Sequence, residues 1–112
     1  MSQSCFGVEP CPDGSVVIAA READEVCVTR VEAGTAQPAQ VVEFVRSRAR
    51  SPRVCVAAYN GRGLNLALAF GALPDAEVIL MRPDVLAQGG SGRTGREEPL
   101  AVALASYARR AA

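Results

Sequence analysis

With 112 residues, 49% of them hydrophobic, the chain can bury one core and is short for two, so it reads as one domain over 1–112. Its twelve basic residues, all arginine, are matched by twelve acids, and zero net charge excludes the strongly basic footprint of a tight nucleic-acid binder. The lack of histidine and of any Cys-x-x-Cys pair argues against zinc. No basic leader and no apolar run near the ~20 residues of a membrane span is present, so the expectation is a cytoplasmic chain with reduced thiols and no membrane partner.

The first apolar run, Cys5-Phe6-Gly7-Val8-Glu9-Pro10, predicts a central strand with Glu9 at its carboxyl end and a proline stop. Ligand chemistry in open α/β sheets gathers beyond the carboxyl ends of strands, which makes Glu9 the first candidate residue. Asp13-Gly14 is a tight-turn signal that closes a hairpin onto residues 15–20. A polar cluster at 21–25 makes the next turn, and Val26, Val28 and Arg30 then alternate with Cys27, Thr29 and Val31, the period of a half-buried edge strand. Three antiparallel strands thus open the fold. Cys27 and Cys55 fall inside strand-like runs and read as small core hydrophobes.

Residues 34–38 lead into a helix with Pro38 in its first turn, and Val41, Val42, Val45 and Ala49 fall at helical spacing before Ser51-Pro52 ends the run. Arg46, Arg48, Arg50 and Arg53 crowd its carboxyl end, where cations complement the helix dipole. The continuous apolar run 53–58 predicts a strand buried on both faces. A helix over about 63–70 follows, with Gly71 as its stop, and 76–81 predicts another short buried strand. Strand, helix and strand at this spacing imply right-handed crossovers and parallel pairing.

The glycine-rich stretch 88–95 predicts a mobile loop. Its Gly90-to-Gly95 spacing matches G-x-x-x-x-G, but Arg96-Glu97 follows in place of Lys and Ser/Thr, and the stretch does not come after the first strand, which sets a P-loop aside. Leu100, Ala103, Leu104 and Tyr107 then predict a last amphipathic helix, with Glu97 and Glu98 in its first turn and Arg109-Arg110 in its last. The expected architecture is α/β: a mixed five-stranded sheet, three antiparallel strands then two parallel, with three helices.

That element order is the order of the ribonuclease H-like fold, and short motifs extend the resemblance. Gly7-Val8-Glu9-Pro10 resembles the Gly-Ile-Asp-Pro-Gly that ends the first strand of RuvC-type Holliday junction resolvases. Gly90-Ser91-Gly92-Arg93-Thr94-Gly95-Arg96-Glu97 is similar to the glycine- and basic-rich loop before their last helix, and Glu98-Pro99-Leu100-Ala101-Val102-Ala103-Leu104 to the Asp-Ala-Leu-Ala-Val-Ala-Leu of that helix. The RuvC-like domain of DEDD insertion-sequence transposases is similar too, through Arg53-Val54-Cys55-Val56 and Arg93-Thr94-Gly95-Arg96.

The resemblance implies a cluster of four carboxylates holding Mg²⁺ for phosphodiester hydrolysis. By position the four would be Glu9, a residue ending the fourth strand, one near the start of the last helix, and Glu98. The fourth-strand position falls on Ala57 or Ala58 and the third on Gly95, which leaves Glu9 and Glu98 as the catalytic and metal-ligand candidates. Two glutamates make a poor cage for an ion that demands close octahedral oxygens. The expectation is a catalytically inactive RuvC-like domain with no cofactor, serving as a nucleic-acid-associated or protein-assembly module. The alternative is an active Mg²⁺-dependent endonuclease that recruits Asp13, Asp84 or Glu97 as its third carboxylate. Arg62, Arg93 and Arg96 are the candidate nucleic-acid contacts, since arginine suits bidentate phosphate binding. No aromatic platform accompanies them, so weak, salt-dependent binding of branched or duplex DNA is expected. A homodimer is a further expectation on general grounds.

Overall fold

The computed structural model describes residues 4–22, 25–57, 61–81 and 97–110, with the backbone alone for 97–99. The strands are β1 (Cys5–Pro10), β2 (Val16–Glu22), β3 (Glu25–Val31), β4 (Arg53–Ala57) and β5 (Glu77–Met81), and the helices are α1 (Gln37–Arg48), α2 (Gly61–Gly71) and α3 (Glu97–Arg110). They form one mixed sheet in the order β3-β2-β1-β4-β5. The first three strands pair antiparallel and β4 and β5 join in parallel, as the run of two tight connections followed by two helical crossovers requires.

The strand period of two sorts the core into two layers. Phe6, Val8, Val16, Ile18, Ala20, Val54 and Val56 pack against Val41 and Val45 of α1 and Leu66 and Phe70 of α2. The alternate positions Cys5, Cys55, Ala57 and Met81 meet Leu100, Leu104 and Ala108 of α3, while Val17 and Ala19 meet its Ala101 and Ala105. Among the described elements helix α3 alone covers one face, and β1 is buried along its whole length.

Glycine has a positional role twice. Gly14 adopts φ 96°, the conformation the tight turn needs, and that turn is closed by Cys11 N–H donating to Ser15 O (2.8 Å) and Gly14 N–H to Cys11 O (3.1 Å). A Cβ on Gly7 would lie 2.6 Å from the Ala105 nitrogen and 2.8 Å from the Leu104 Cβ, with the Ala101 carbonyl oxygen closer still. The missing side chain lets α3 settle directly on the middle of β1.

Two expectations are corrected. Cys27 is exposed, whereas Cys55 is buried as expected. On the β3 face turned toward α1, Val31 packs on the core and Thr29 is half-buried, but the helical layer stops short of Cys27. Strand β5 is an edge strand rather than a buried one, with Leu80 47% exposed and Met81 its buried residue. Helix α2 stops at Gly71 as expected, although without the positive φ of a glycine cap, and it tightens out through Leu73 N–H to Phe70 O at 3.0 Å.

The arginines near the end of α1 are engaged in ordinary ways. Arg46 forks onto Glu43, its Nη2 donating to Oε2 at 2.7 Å, and Arg48 sits 4.5 Å over the Phe44 ring. Arg53 pairs with Glu77 across the β4–β5 ladder at 2.8 Å and its Nη1 donates to Ala108 O at 3.4 Å, tying both strands to the end of α3. No described helix is long and apolar enough to cross a membrane.

Candidate functional site

Glu9 ends the central strand on the α3 side of the sheet, because it shares the strand face of Cys5 and Gly7. It is 2% exposed, so its carboxyl group is withdrawn from bulk water. Helix α3 runs antiparallel to β1. Its Ala108 lies over Cys5 and accepts from Arg53 at the strands' amino ends, whereas Leu100 packs with Ala57 and Met81 at their carboxyl ends. The middle of the helix, Ala101 to Ala105, covers Gly7. The backbone of the first turn, Glu97 and Glu98, therefore lies toward the level of Glu9, and the two glutamates expected to act together come from elements that meet at one end of the sheet. The side chain of Glu98 lies outside the described residues, as do Arg93 and Arg96, Ala58, Asp84 and the whole 82–96 stretch.

What stands beside Glu9 on the sheet is apolar. The β1–β4 register sets Gly7 against Cys55 and Val8 against Val56, and its continuation by one residue brings Ala57 beside Glu9. Ala57 is fully buried among Cys5, Leu100 and Leu104. Among the described residues no three of His, Cys, Asp and Glu gather as a metal group. A Mg²⁺ ion wants several close oxygen ligands; the described end of β1 supplies one carboxylate and a methyl group, and does not fit it.

The turn after β1 is held by a network that reaches three elements. Ser15 donates to Asp13 Oδ1 through its backbone N–H (2.9 Å) and its hydroxyl (2.6 Å), and Arg30 of β3 donates to Ser15 Oγ at 2.6 Å. These bonds from Ser15, with the Arg30 guanidinium 3.8 Å away, hold the Asp13 carboxyl below its usual range. Asp13 is thus occupied in fixing the turn, which removes it as a convenient substitute ligand for Glu9.

Arg62, read from sequence as a nucleic-acid contact, is placed in the first turn of α2 with its guanidinium on the same turn. It donates to the carbonyls of Cys11 (2.6 Å), Gly14 (2.9 Å) and Ser15 (3.1 Å). From the other side the buried Gln37 of α1 donates through Nε2 to Gly14 O (2.8 Å), Val31 O (3.2 Å) and Glu32 O (3.1 Å). Arginine's rigid fork is suited to bridging several carbonyls at once. Replacing Arg62 by alanine removes three charge-assisted bonds from carbonyls that each keep one other donor, and the expected cost in a urea melt is about 1–2 kcal/mol, with lysine recovering less than half of it. Neither clamp was legible from sequence as such, although a glutamine at the start of a helix beside a glycine turn is the kind of residue that serves this purpose.

The thiols divide by environment. Burial pushes the Cys55 thiol up to about 12 and raises that of Cys5, in the latter against the pull of Arg53, Arg109 and Arg21. Cys27 is the exposed cysteine of the four. The native protein is accordingly expected to react with a colorimetric disulfide reagent in one fast phase, lost in Cys27→Ser, and to release the other thiols on unfolding.

A scan of protein-family models and a search of curated proteins find no match to the chain.

Proposed function

We propose that the chain is a ribonuclease H-like domain of the RuvC type that has lost its nuclease site and works as a nucleic-acid-associated or protein-assembly module. The observation that carries this reading is Ala57 beside Glu9: the central strand still delivers a buried acid to its carboxyl end, but the adjoining strand supplies a methyl group where the resemblance implies a bridging carboxylate. Support for the fold assignment comes from the β3-β2-β1-β4-β5 order, with β1 central, and from a last helix laid across β1 with its amino end at the carboxyl ends of the strands.

The nucleic-acid half of the reading rests on Arg93 and Arg96, because Arg62 is committed to the turn carbonyls. Two phosphate contacts give weak binding whose log affinity falls with log salt with a slope of about −2. Fluorescence anisotropy with a labelled four-way junction and a matched duplex tests this. Retention at low salt with that slope, lost in the Arg93→Ala, Arg96→Ala double variant, is the expected result. No retention of either DNA at low salt removes nucleic acid from the function.

A further inference from the structure

We infer that the chain forms a two-fold homodimer by antiparallel pairing of β3 with β3 of a second copy, in the register that places Cys27 opposite Cys27. This deepens the assembly half of the proposed function and does not depend on its nucleic-acid half. Among the described elements β3 is the outer strand beyond β2, and all seven of its residues pair with β2 in an unbroken register, with no bulge. Natural proteins blunt such an edge with charged side chains, proline or a bulge; β3 contains no proline, its two charges Glu25 and Arg30 stand toward its ends and leave 26–29 uncharged, and Arg30 is drawn toward Ser15 and Asp13. At its centre Val26 and Val28 are 43% and 37% exposed, with the exposed Cys27 between them.

The occupant follows from self-complementarity. Paired Glu22 and Glu25 leave a two-residue connection between β2 and β3, and the pair flanking such a loop is a hydrogen-bonded one. Alternation then gives Cys27 its bonds to β2 and turns the N–H and C=O groups of Val26, Val28 and Arg30 to the open edge. A two-fold axis normal to the sheet can pass only through a residue. Centred on Cys27, it sets Val26 against Val28 twice and Glu25 against Thr29. Centred on Val28, it sets Val26 against Arg30 and Glu25 against Val31, and centred on Thr29, Val28 against Arg30, both of which bury charge against valine. In this register Glu25 faces Thr29 and not another acid, and the zero net charge of the chain imposes no general repulsion between copies. In the Cys27 register the two thiols form a non-hydrogen-bonded pair with Cα atoms about 4.5 Å apart, inside the span a disulfide bridges.

Sedimentation velocity over a concentration series, with thiol trapping by copper phenanthroline in air as oxidant, tests the dimer and its register together. The expected result is a concentration-dependent twofold rise in mass, abolished by Val28→Lys and by Val28→Pro, each checked by circular dichroism to be folded. A covalent dimer should form on oxidation and be absent in Cys27→Ser. A monomer mass at every concentration, or a dimer that survives Val28→Lys and is not trapped through Cys27, overturns the inference. DNA titration of the wild-type chain keeps the questions apart: DNA binding by a chain that stays monomeric refutes this interface alone, and a dimer without DNA binding refutes only the nucleic-acid half of the function.

Discussion

Substituting alanine for Gly7 is expected to destabilise the fold by about 3 kcal/mol, roughly 12 °C in Tm, and valine at the same position to prevent folding. The reason is geometric. The nearest neighbours of the added Cβ are the Ala101 carbonyl oxygen and the Ala105 nitrogen, 2.6 Å away for the latter, and both are backbone atoms in the middle of a helix. A flexible side chain could swing aside, whereas relieving this overlap means lifting α3 from the sheet. Helix α3 is the sole cover of that face among the described elements, and its Leu100, Ala101, Leu104, Ala105 and Ala108 all lose contact if it rises. Chemical denaturation of Gly7→Ala measures the effect. A change below about 1 kcal/mol would mean that α3 does not lie this close to β1.

The second large effect is expected at Ala57. Introducing Ala57→Asp puts a carboxylate into a fully buried position beside Glu9 and among leucines. An uncompensated buried charge next to another acid is costly, and a loss of about 3–5 kcal/mol at neutral pH is expected. The sign with pH is fixed: burial raises the aspartate's folded pKa above its unfolded value, so the variant's deficit relative to wild type is largest above the folded pKa and shrinks as pH falls below it. Urea melts of both proteins at neutral and acidic pH check this. Equal stability of the two at neutral pH would show that the end of β4 is hydrated and open, contrary to the packing described here.

The strands and helices were legible because their periods are strong. Alternation in 26–31 and the apolar runs at 5–8 and 54–57 have few competing readings, and tight turns marked by Asp13-Gly14 fix the antiparallel start. Cover was harder to read than conformation. The run 78–81 is as apolar as 54–57, yet one strand lies at the edge and the other inside, and an apolar run carries no record of its neighbours. Cys27 went wrong for the same reason. At the candidate site the sequence was enough to place Glu9 at the strand end, and the resemblance put the facing position on Ala57 or Ala58, of which the register sets Ala57 beside Glu9. The duty of Arg62 was not legible, because a cation's partner depends on which carbonyls the tertiary fold brings within reach, and here they come from residues almost fifty positions away.

On the proposed reading, Glu9 marks the position of a nuclease site whose ligand set is gone. A cleavage assay on a labelled four-way junction, with Mg²⁺ or Mn²⁺ and with the Glu9→Gln variant alongside, addresses it directly. The account predicts no metal-dependent cutting by either protein; cutting by the wild type that Glu9→Gln abolishes would contradict it.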